Sequence, residues 1–161
     1  MAARTEQATP ATGATEIQRV AALLGGARVL RHRLRGPLDV HEAISRGLPR
    51  GALTCLVSRV SVLRDPALLE QAVGVSVRTF QRFKLTPDQP LSTEQSGRAW
   101  KFAEILAKAT EVFGSQEDAE QWLERRAMGL DQRRPIDLLA TPAGVSIVED
   151  CLGRLKYGVY T

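Results

Sequence analysis

The sequence predicts an all-α fold, and three observations support this prediction. Apolar residues recur at steps of three and four along most of the chain, which is the spacing of one helix face. Residues suited to begin and end helices, such as Ser92 and Gly114, flank these periodic stretches. No stretch has the pattern that indicates a strand. The 161 residues, 43% of them hydrophobic, suffice for one domain or two small helical modules.

The N-terminal part of the chain is predicted to contain an arm and three helices. Residues 1–15 are rich in Ala and Thr and lack periodicity, so we expect a disordered arm. Helices are predicted at 16–24, ended by two glycines, at a stretch capped by Asp39, and at 49–63. The segment RVLRHRLR, residues 28–35, is basic and lies between the first two of these helices.

The next stretch has the pattern of a helix–turn–helix motif. Asp65 is suited to cap its first helix, Gly74 to form the turn, and Ser76 to cap the second helix. We expect Val77 and Phe80 of the second helix to face the core. The residues predicted to contact DNA are Ser76, Arg78, Thr79, Gln81, Arg82 and Lys84.

The second helix of this motif is suited to DNA recognition. In a recognition helix, polar side chains contact base edges in the major groove, while Arg and Lys contact phosphates. Arg78 and Gln81 are the candidates for base contacts, and Arg82, Lys84 and the basic segment RVLRHRLR for contacts with the phosphate backbone. Glu70 stands where this motif normally has a small residue. The motif therefore serves either DNA binding or dimerisation alone.

The C-terminal part is predicted to form three helices and one short helical turn. The longest helix spans 92–113, the next 116–127, and the last 141–157. A loop at 129–134 and a helical turn from 135 connect the second helix to the last. The predicted N-caps are Ser92, Ser115 and Thr141. The apolar stripe predicted for the longest helix comprises Ala99, Phe102, Leu106, Ala109 and Phe113.

The charge is divided unevenly between the two parts of the chain. Residues 1–91 hold 13 Lys and Arg against 7 Asp and Glu, whereas residues 92–161 hold 9 against 11. A basic part joined to a mildly acidic part indicates surfaces for two kinds of partner, and the basic part is the candidate for nucleic acid. The alternative is a basic surface that is only solvated.

No pattern in the sequence indicates an enzyme, a cofactor site or a metal site. His41 and Glu42 begin an HExxH motif, but Ser45 takes the place of its second histidine. Cys55 and Cys151 lie far apart and outside any CxxC spacing, which favours reduced thiols in a cytosol. There is no apolar run of about 18 residues and no apolar N-terminal core. We therefore expect a soluble cytoplasmic protein without catalysis, cofactor or membrane span.

The segment RLKYGVYT, residues 154–161, combines two tyrosines, a valine and a glycine, which are groups suited to filling a pocket. Chain ends are more often polar and frayed. If Gly158 ends the last helix in the left-handed conformation, Val159, Tyr160 and Thr161 project beyond it. This pattern favours a protein that inserts its tail into a partner. The tyrosines could instead fold back over the chain's own core.

Several segments in the second part of the chain have a characteristic order and spacing. They are VGVSVRTFQRFK, LSTEQSGRAWKFAEI, the helix with Trp122 and Leu123, PIDLLAT with Gly144, and the closing LGRLKYGVY. In this order they resemble the antitoxins of the RES–Xre class of bacterial type II toxin–antitoxin systems, also called the Xre/MbcA/ParS type. The resemblance spans residues 66–161, about 60% of the chain. Glu124 and Arg125 replace the Pro-Asn often found after the Trp-Leu pair in this family.

The resemblance implies an Xre-like helix–turn–helix region at 16–90, which dimerises and binds operator DNA, followed by a helical toxin-binding domain at 91–161. Toxins of this family have an ADP-ribosyltransferase-like fold and consume NAD or transfer ADP-ribose from it. The antitoxin occludes the toxin's NAD site with its C-terminal end, where Tyr160 would stack in place of a ring of NAD. The residues expected to bind the toxin are Arg133, Arg134, Arg154, Lys156, Tyr157, Gly158, Val159, Tyr160 and Thr161.

Two other functions remain open on the sequence alone. A stand-alone helix–turn–helix transcriptional regulator would bind specific DNA without a partner, with a Kd of about 10⁻⁸ M or below. A helical adaptor with a vestigial helix–turn–helix would not bind DNA. DNA binding in the absence of any partner distinguishes these two functions from each other.

Overall fold

A computed structural model of the chain describes residues 12–158 and contains no β-strand in this range, which confirms the all-α prediction. Three 3₁₀ turns, Ser61–Arg64, Met128–Leu130 and Pro135–Leu138, connect some of the helices. The helices are α1 (Thr12–Leu23), α2 (Gly26–Leu30), α3 (Pro37–Arg46), α4 (Arg50–Arg59), α5 (Pro66–Val73), α6 (Val77–Phe83), α7 (Thr93–Phe113), α8 (Gln116–Glu124) and α9 (Pro142–Tyr157).

Helix α7 lies at the centre of the molecule and packs against α1, α3, α5, α8 and α9. The predicted apolar stripe is buried along it, except that Phe113 is half-buried. Trp100 and Ile105, which lie outside the predicted stripe, are also buried, because neighbouring helices cover α7 from several sides. Ser92 and Gln95 form a capping box at the start of the helix, as expected for this spacing. Both parts of the chain therefore share one central helix.

A cluster of charged side chains joins α7 to α9. Lys101 Nζ donates to Glu104 at 3.0 Å and to Glu149 at 3.1 Å, and Lys108 Nζ donates to Glu104 at 3.3 Å. Trp100 Nε1 donates to the other oxygen of Glu104 at 3.2 Å. Burial raises the pKa of Glu104, but the hydrogen bonds and charges of the two lysines outweigh it and leave the pKa below its ordinary value of 4.5. Glu104 is therefore ionised at neutral pH.

The helix–turn–helix is formed by α5 and α6, as predicted. Asp65 caps α5 by accepting a hydrogen bond from the N–H of Ala67 at 2.9 Å. Ser76 caps α6 by accepting one from the N–H of Thr79 at 3.2 Å. Gly74 forms the turn with φ of 78°, in the left-handed region that favours glycine. Local residue chemistry thus specifies the motif.

The prediction that Val77 faces the core is wrong. Val77 is 42% exposed, whereas Phe80 and Phe83 are 4% and 6% exposed. A helix turns about 100° per residue, so Val77 lies roughly 90° from the mean direction of the two phenylalanines. The larger aromatic side chains take the buried face of this short helix, and Val77 is left at its edge.

Helix α1 begins four residues earlier than the sequence predicted. Residues 12–15 were assigned to a disordered arm, but α1 starts at Thr12. Adding residues to an existing helix is cheap because each brings one backbone hydrogen bond. The remainder of the predicted arm, residues 1–11, lies outside the described residues.

The predicted N-cap of α3, Asp39, does not occupy the cap position. Gly36 is the N-cap and Pro37 takes the first helical position, which suits its fixed φ. Asp39 lies in the first turn, where its carboxylate accepts a hydrogen bond from the N–H of Arg35 at 2.8 Å. Asp39 therefore still accepts a backbone N–H at the start of the helix, although it lies within the helix and not at the cap position.

The predicted helix 49–63 is divided in two. Helix α4 ends at Arg59, Val60 is extended (φ −121°, ψ 104°), and a 3₁₀ turn follows. Val60 is fully buried, and the N–H of Val62 donates to the carboxylate of Glu120 at 2.9 Å. Because Glu120 belongs to α8, this break depends on a tertiary contact that local sequence does not encode.

In the C-terminal part, α8 ends at Glu124, three residues before the predicted end. The N–H of Ala127 donates to the carbonyl of Arg133 at 3.1 Å, so the backbone there forms an isolated bridge and does not continue the helix. The predicted loop at 129–134 therefore includes part of a 3₁₀ turn and is closed by this bridge.

Thr141 is the N-cap of α9, as predicted, and accepts a hydrogen bond from the N–H of Gly144 at 3.0 Å. A Cβ atom at Gly144 would overlap the carbonyl oxygen of Leu138. Only glycine lets the preceding 3₁₀ turn lie this close to the first turn of α9. The start of α9 is therefore fixed relative to residues 135–138.

Candidate functional site

The predicted DNA-binding residues lie on and beside α6. Arg78, Gln81 and Arg82 are exposed on this helix, and Lys84 is exposed directly after it. Ser76 and Thr79 are half-buried, because their side-chain oxygens hydrogen-bond to each other at 3.0 Å in the helix cap. The structure thus groups four exposed polar or cationic side chains at one helix and places the other two in its cap.

Helix α6 is supported from behind by cation–aromatic contacts. The guanidinium of Arg50 lies 4.4 Å from the ring centre of Phe83, and Lys84 Nζ lies 5.0 Å from that of Phe80. Arg50 also donates to Thr86 Oγ1 at 2.7 Å. The contacts of Arg50 attach the C-terminal end of α6 to α4, so the outer face of α6 is held in a defined orientation.

The loop that follows α6, residues 86–90, is bound to the first turn of α4. The N–H of Arg50 donates to the carbonyl of Gln89, and the N–H of Gly51 to that of Pro87, both at 2.9 Å. These donors are among those that a helix start leaves without an intrahelical partner. The loop is therefore fixed by backbone hydrogen bonds, and with it the end of α6.

The last turn of α9 presents the other group of predicted site residues. Arg154 and Lys156 are exposed, and Tyr157 is 75% exposed. Lys156 Nζ lies 3.1 Å from Glu111 Oε1 on α7, and this hydrogen bond and charge raise the pKa of Lys156. Gly158 ends the helix in the left-handed conformation, with φ of 66°. The remaining tail residues, Val159, Tyr160 and Thr161, lie outside the described residues.

The predicted pair Arg133 and Arg134 lies in the loop before α9. Arg133 is exposed, but Arg134 donates two hydrogen bonds to Asp137, at 2.8 and 2.9 Å. The hydrogen bonds and charge of Asp137 raise the pKa of Arg134, and those of Arg134 lower the pKa of Asp137. The positive charge of Arg134 is thus partly neutralised by Asp137 of the same chain.

Two exposed apolar side chains in the C-terminal part were not singled out from the sequence. Met128 is 85% exposed and Ile147 is 48% exposed. On α9 the buried residues Val148, Cys151 and Leu152 follow helical spacing, and Ile147 falls off that face. This periodicity was a usable signal for Ile147, whereas Met128 lies in a 3₁₀ turn with no periodic pattern.

Within residues 12–158, no group of three or more His, Cys, Asp or Glu side chains is arranged to hold a metal ion. None of the helices described in this range is long and apolar enough to cross a membrane.

Two protein families match this chain. Residues 39–104 match the family described as Antitoxin Xre-like helix-turn-helix domain, which includes α5 and α6. Residues 108–158 match the family described as Antitoxin Xre/MbcA/ParS C-terminal toxin-binding domain, which includes α8 and α9. The two matches meet inside α7, whereas the sequence analysis placed the division before that helix.

Curated relatives agree with these matches. The chain is 33% identical to an Antitoxin Xre of Yersinia enterocolitica over 56% of its own length and 62% of the relative's. It is 29% identical to an Antitoxin Xre of Pseudomonas putida, over 78% and 76% of the two chains. It is 26% identical to the Prs ADP-ribosylating antitoxin of a Sphingobium species, over 77% of this chain and 82% of the relative. With both domain types matched in this order, the chain belongs to the Xre/MbcA/ParS family of antitoxins.

Proposed function

We propose that this chain neutralises a RES-domain toxin that consumes NAD or transfers ADP-ribose from it, and that it also represses its own operon. In this proposal the C-terminal segment occludes the toxin's NAD site. The chain acts in the cytoplasm, has no catalytic role and needs no cofactor. Residues 91–161 bind the toxin, and residues 16–90 dimerise and bind operator DNA.

The observation that carries the proposal is the end of α9. This helix lies within the matched toxin-binding domain, and its last turn exposes Tyr157, Arg154 and Lys156. Gly158 leaves the helix in a left-handed conformation, so the chain changes direction directly after Tyr157. The exposed ring of Tyr157 suits a site that binds the aromatic rings of a dinucleotide such as NAD, and the flanking cations suit acidic residues of the toxin around that site. Tyr160 belongs to the same proposed insert.

The chemistry of the toxin is supported by one relative. The name of the Sphingobium protein contains the words ADP-ribosylating antitoxin, and this chain covers 82% of its length. A partner toxin that uses NAD is consistent with that name. Arg133 and Arg134 belong to the proposed toxin-binding surface as flanking cations, with Arg134 already bound to Asp137.

Autorepression is supported by the exposed side chains of α6. Arg78, Gln81, Arg82 and Lys84 are exposed. In the proposal, Arg78 and Gln81 contact base edges, and Arg82 and Lys84 contact phosphates. We propose that two copies of the chain associate through the helix–turn–helix region. A symmetric dimer would place two recognition helices on the two halves of a palindromic operator.

The experiment that tests neutralisation uses the neighbouring reading frame in the genome. That frame is expressed with the full chain or with a chain lacking residues 158–161, and cell growth and intracellular NAD are followed. The full chain should restore both, and the shortened chain should restore neither. Pull-down of the toxin by each version shows whether the tail acts on binding or only on occlusion.

The matched control is the Arg78→Ala/Arg82→Ala variant. It should neutralise as well as the unmodified chain and should lose repression of a reporter placed behind the operon's own promoter. Equal rescue by the shortened chain would exclude occlusion by the tail. A neighbouring frame that is harmless when expressed alone would instead favour a stand-alone transcriptional regulator.

A further inference from the structure

A basic surface lies beside the helix–turn–helix, within the range 16–90 that is proposed to bind operator DNA. The basic segment, residues 28–35, contains four arginines and one histidine, and no acidic residue occurs between Glu16 and Asp39. The segment precedes both family matches, the first of which begins at residue 39. Its composition alone indicates either an anionic partner or a surface that is only solvated.

The fold holds the backbone of the basic segment and leaves its cations outside. Leu30 and Leu34 are 5% and 4% exposed, so they anchor the segment in the core. The carbonyl of Leu34 also accepts a hydrogen bond from Gln18 Nε2 at 2.9 Å. Arg33 and Arg35 are exposed, and neither makes an ion pair with any residue of the range 15–158. Two unneutralised cations therefore stand on an ordered backbone.

The basic segment is attached to the loop that follows α6. Arg31 Nη2 lies 2.6 Å from Asp88 Oδ1, and Arg31, His32, Arg46 and Asp88 line one cleft of about 180 Å³. Because residues 86–90 directly follow the end of α6, the basic segment lies beside that end of the recognition helix. The charge of Arg31 is used in this attachment and is not counted among the available cations.

The available cations line a second cleft of about 350 Å³. The charged or titratable side chains around it are His32, Arg33, Arg35, Asp39 and Arg46. Asp39, the acidic member, accepts the N–H of Arg35 at 2.8 Å, so its carboxylate is partly occupied by the backbone. The excess of cations over carboxylates suits phosphate oxygens.

We propose that the basic segment binds the phosphate backbone of the same DNA duplex whose major groove receives α6, with Arg33 and Arg35 as its main contacts. This inference rests on the DNA-binding part of the proposed function. Phosphates form both walls of the major groove, so an element beside the end of a recognition helix lies over one strand. Such contacts add affinity and fix the register of the protein, without reading the sequence.

The test compares the Arg33→Gln/Arg35→Gln variant with the unmodified full-length chain by fluorescence anisotropy. The probes are duplexes tiled across the DNA upstream of the chain's own reading frame, and one duplex of unrelated sequence, each titrated at several NaCl concentrations. Loss of two phosphate contacts should reduce the slope of log K against log salt by about 1.8 for each bound protomer, and weaken binding roughly ten- to thirty-fold per protomer near 0.15 M salt. The preference for operator over unrelated DNA should stay the same.

Two control variants test whether the effect depends on the position of the arginines and on their charge. Arg125→Gln/Arg126→Gln removes two exposed arginines from the C-terminal part and should leave both Kd and slope unchanged. Arg33→Lys/Arg35→Lys keeps the charges and should restore most of the slope. Thermal unfolding should be the same for all variants, because neither Arg33 nor Arg35 is buried.

Each contrary outcome overturns a defined part of the inference. An unchanged salt slope in Arg33→Gln/Arg35→Gln would overturn the phosphate contact and leave operator binding by α6 intact. Loss of the preference for operator DNA would show that these arginines contact bases. If the unmodified chain bound none of the duplexes, both the inference and autorepression would fail, while neutralisation of the toxin would be unaffected.

Discussion

Lys156 and Glu111 face each other across the contact between α9 and α7, with 3.1 Å between Nζ and Oε1. Arg19 of α1 approaches the other oxygen of Glu111 at 3.8 Å, so three helices meet at this carboxylate. All of these side chains are 40% exposed or more, and such pairs contribute little stability. The contact instead keeps the side chain of Lys156 on α7, directly before the exposed Tyr157.

This arrangement predicts unequal roles for Tyr157 and Lys156 in toxin binding. Tyr157→Ala should weaken the complex about ten- to thirty-fold, because an exposed aromatic residue at a partner's pocket is a typical hot spot. Lys156→Gln should weaken it by no more than about fivefold, since this lysine already has Glu111 as a partner. Calorimetric titration of purified toxin and antitoxin measures both. An equal loss in the two variants would mean that Lys156 leaves Glu111 on binding.

A second prediction concerns Glu120, whose carboxylate is almost fully buried. It accepts hydrogen bonds from Ser61 Oγ at 2.8 Å, the N–H of Val62 at 2.9 Å and Gln116 Nε2 at 3.1 Å. Glu120→Ala leaves the N–H of Val62 without its partner, so the free energy of unfolding should fall by about 1–3 kcal/mol. Urea denaturation measures it, with exposed Glu117→Ala as the matched control on the same helix. Equal stability of the two variants would show that water or another group replaces the carboxylate.

A third prediction uses two glycines of α9 with opposite surroundings. Gly144→Ala should destabilise the protein by about 2–4 kcal/mol, because its Cβ would overlap the backbone of Leu138. Gly153→Ala meets no atom within 4 Å and should stabilise the helix by about 0.5–1 kcal/mol. The two midpoints of chemical denaturation should therefore shift in opposite directions. A neutral Gly144→Ala variant would mean that residues 135–138 move away at little cost.

A fourth prediction follows from the lowered pKa of Glu104 beside Lys101 and Lys108. A carboxylate with a lower pKa in the folded than in the unfolded protein stabilises the fold above its unfolded pKa, near 4.5. That contribution is lost as pH falls through the folded pKa. Glu104→Gln should therefore be less stable than the unmodified protein at pH 7 and lose less stability on acidification below about 4.5. Glu117→Gln removes an exposed carboxylate outside this cluster and is the matched control for the loss of one negative charge.

The sequence predicted those features of the fold that depend on neighbouring residues. Ser92, Ser76 and Thr141 all cap the helices that they were expected to cap, because a cap is formed within three residues. Gly74 and Gly158 take left-handed conformations for the same local reason. The family resemblance was confirmed by both domain matches.

Features that depend on distant residues were not predictable in this way. The break after Arg59 needs Glu120, which lies about sixty residues later in the chain. The pairing of Lys156 with Glu111 similarly joins two helices whose relative position the sequence did not indicate. Of the site residues, those predicted on α6 are largely exposed, but their contacts with DNA remain predictions. The contacts of the C-terminal residues with a toxin also remain predictions.

The continuity of α7 links the proposed DNA-binding and toxin-binding parts of the chain geometrically. One family match ends at residue 104 and the other begins at 108, yet both positions lie in one helix without a break. One residue inserted between them would turn everything that follows by about 100° and advance it by about 1.5 Å. If the chain binds operator and toxin as proposed, the helical phase of α7 contributes to the orientation of the toxin relative to the DNA.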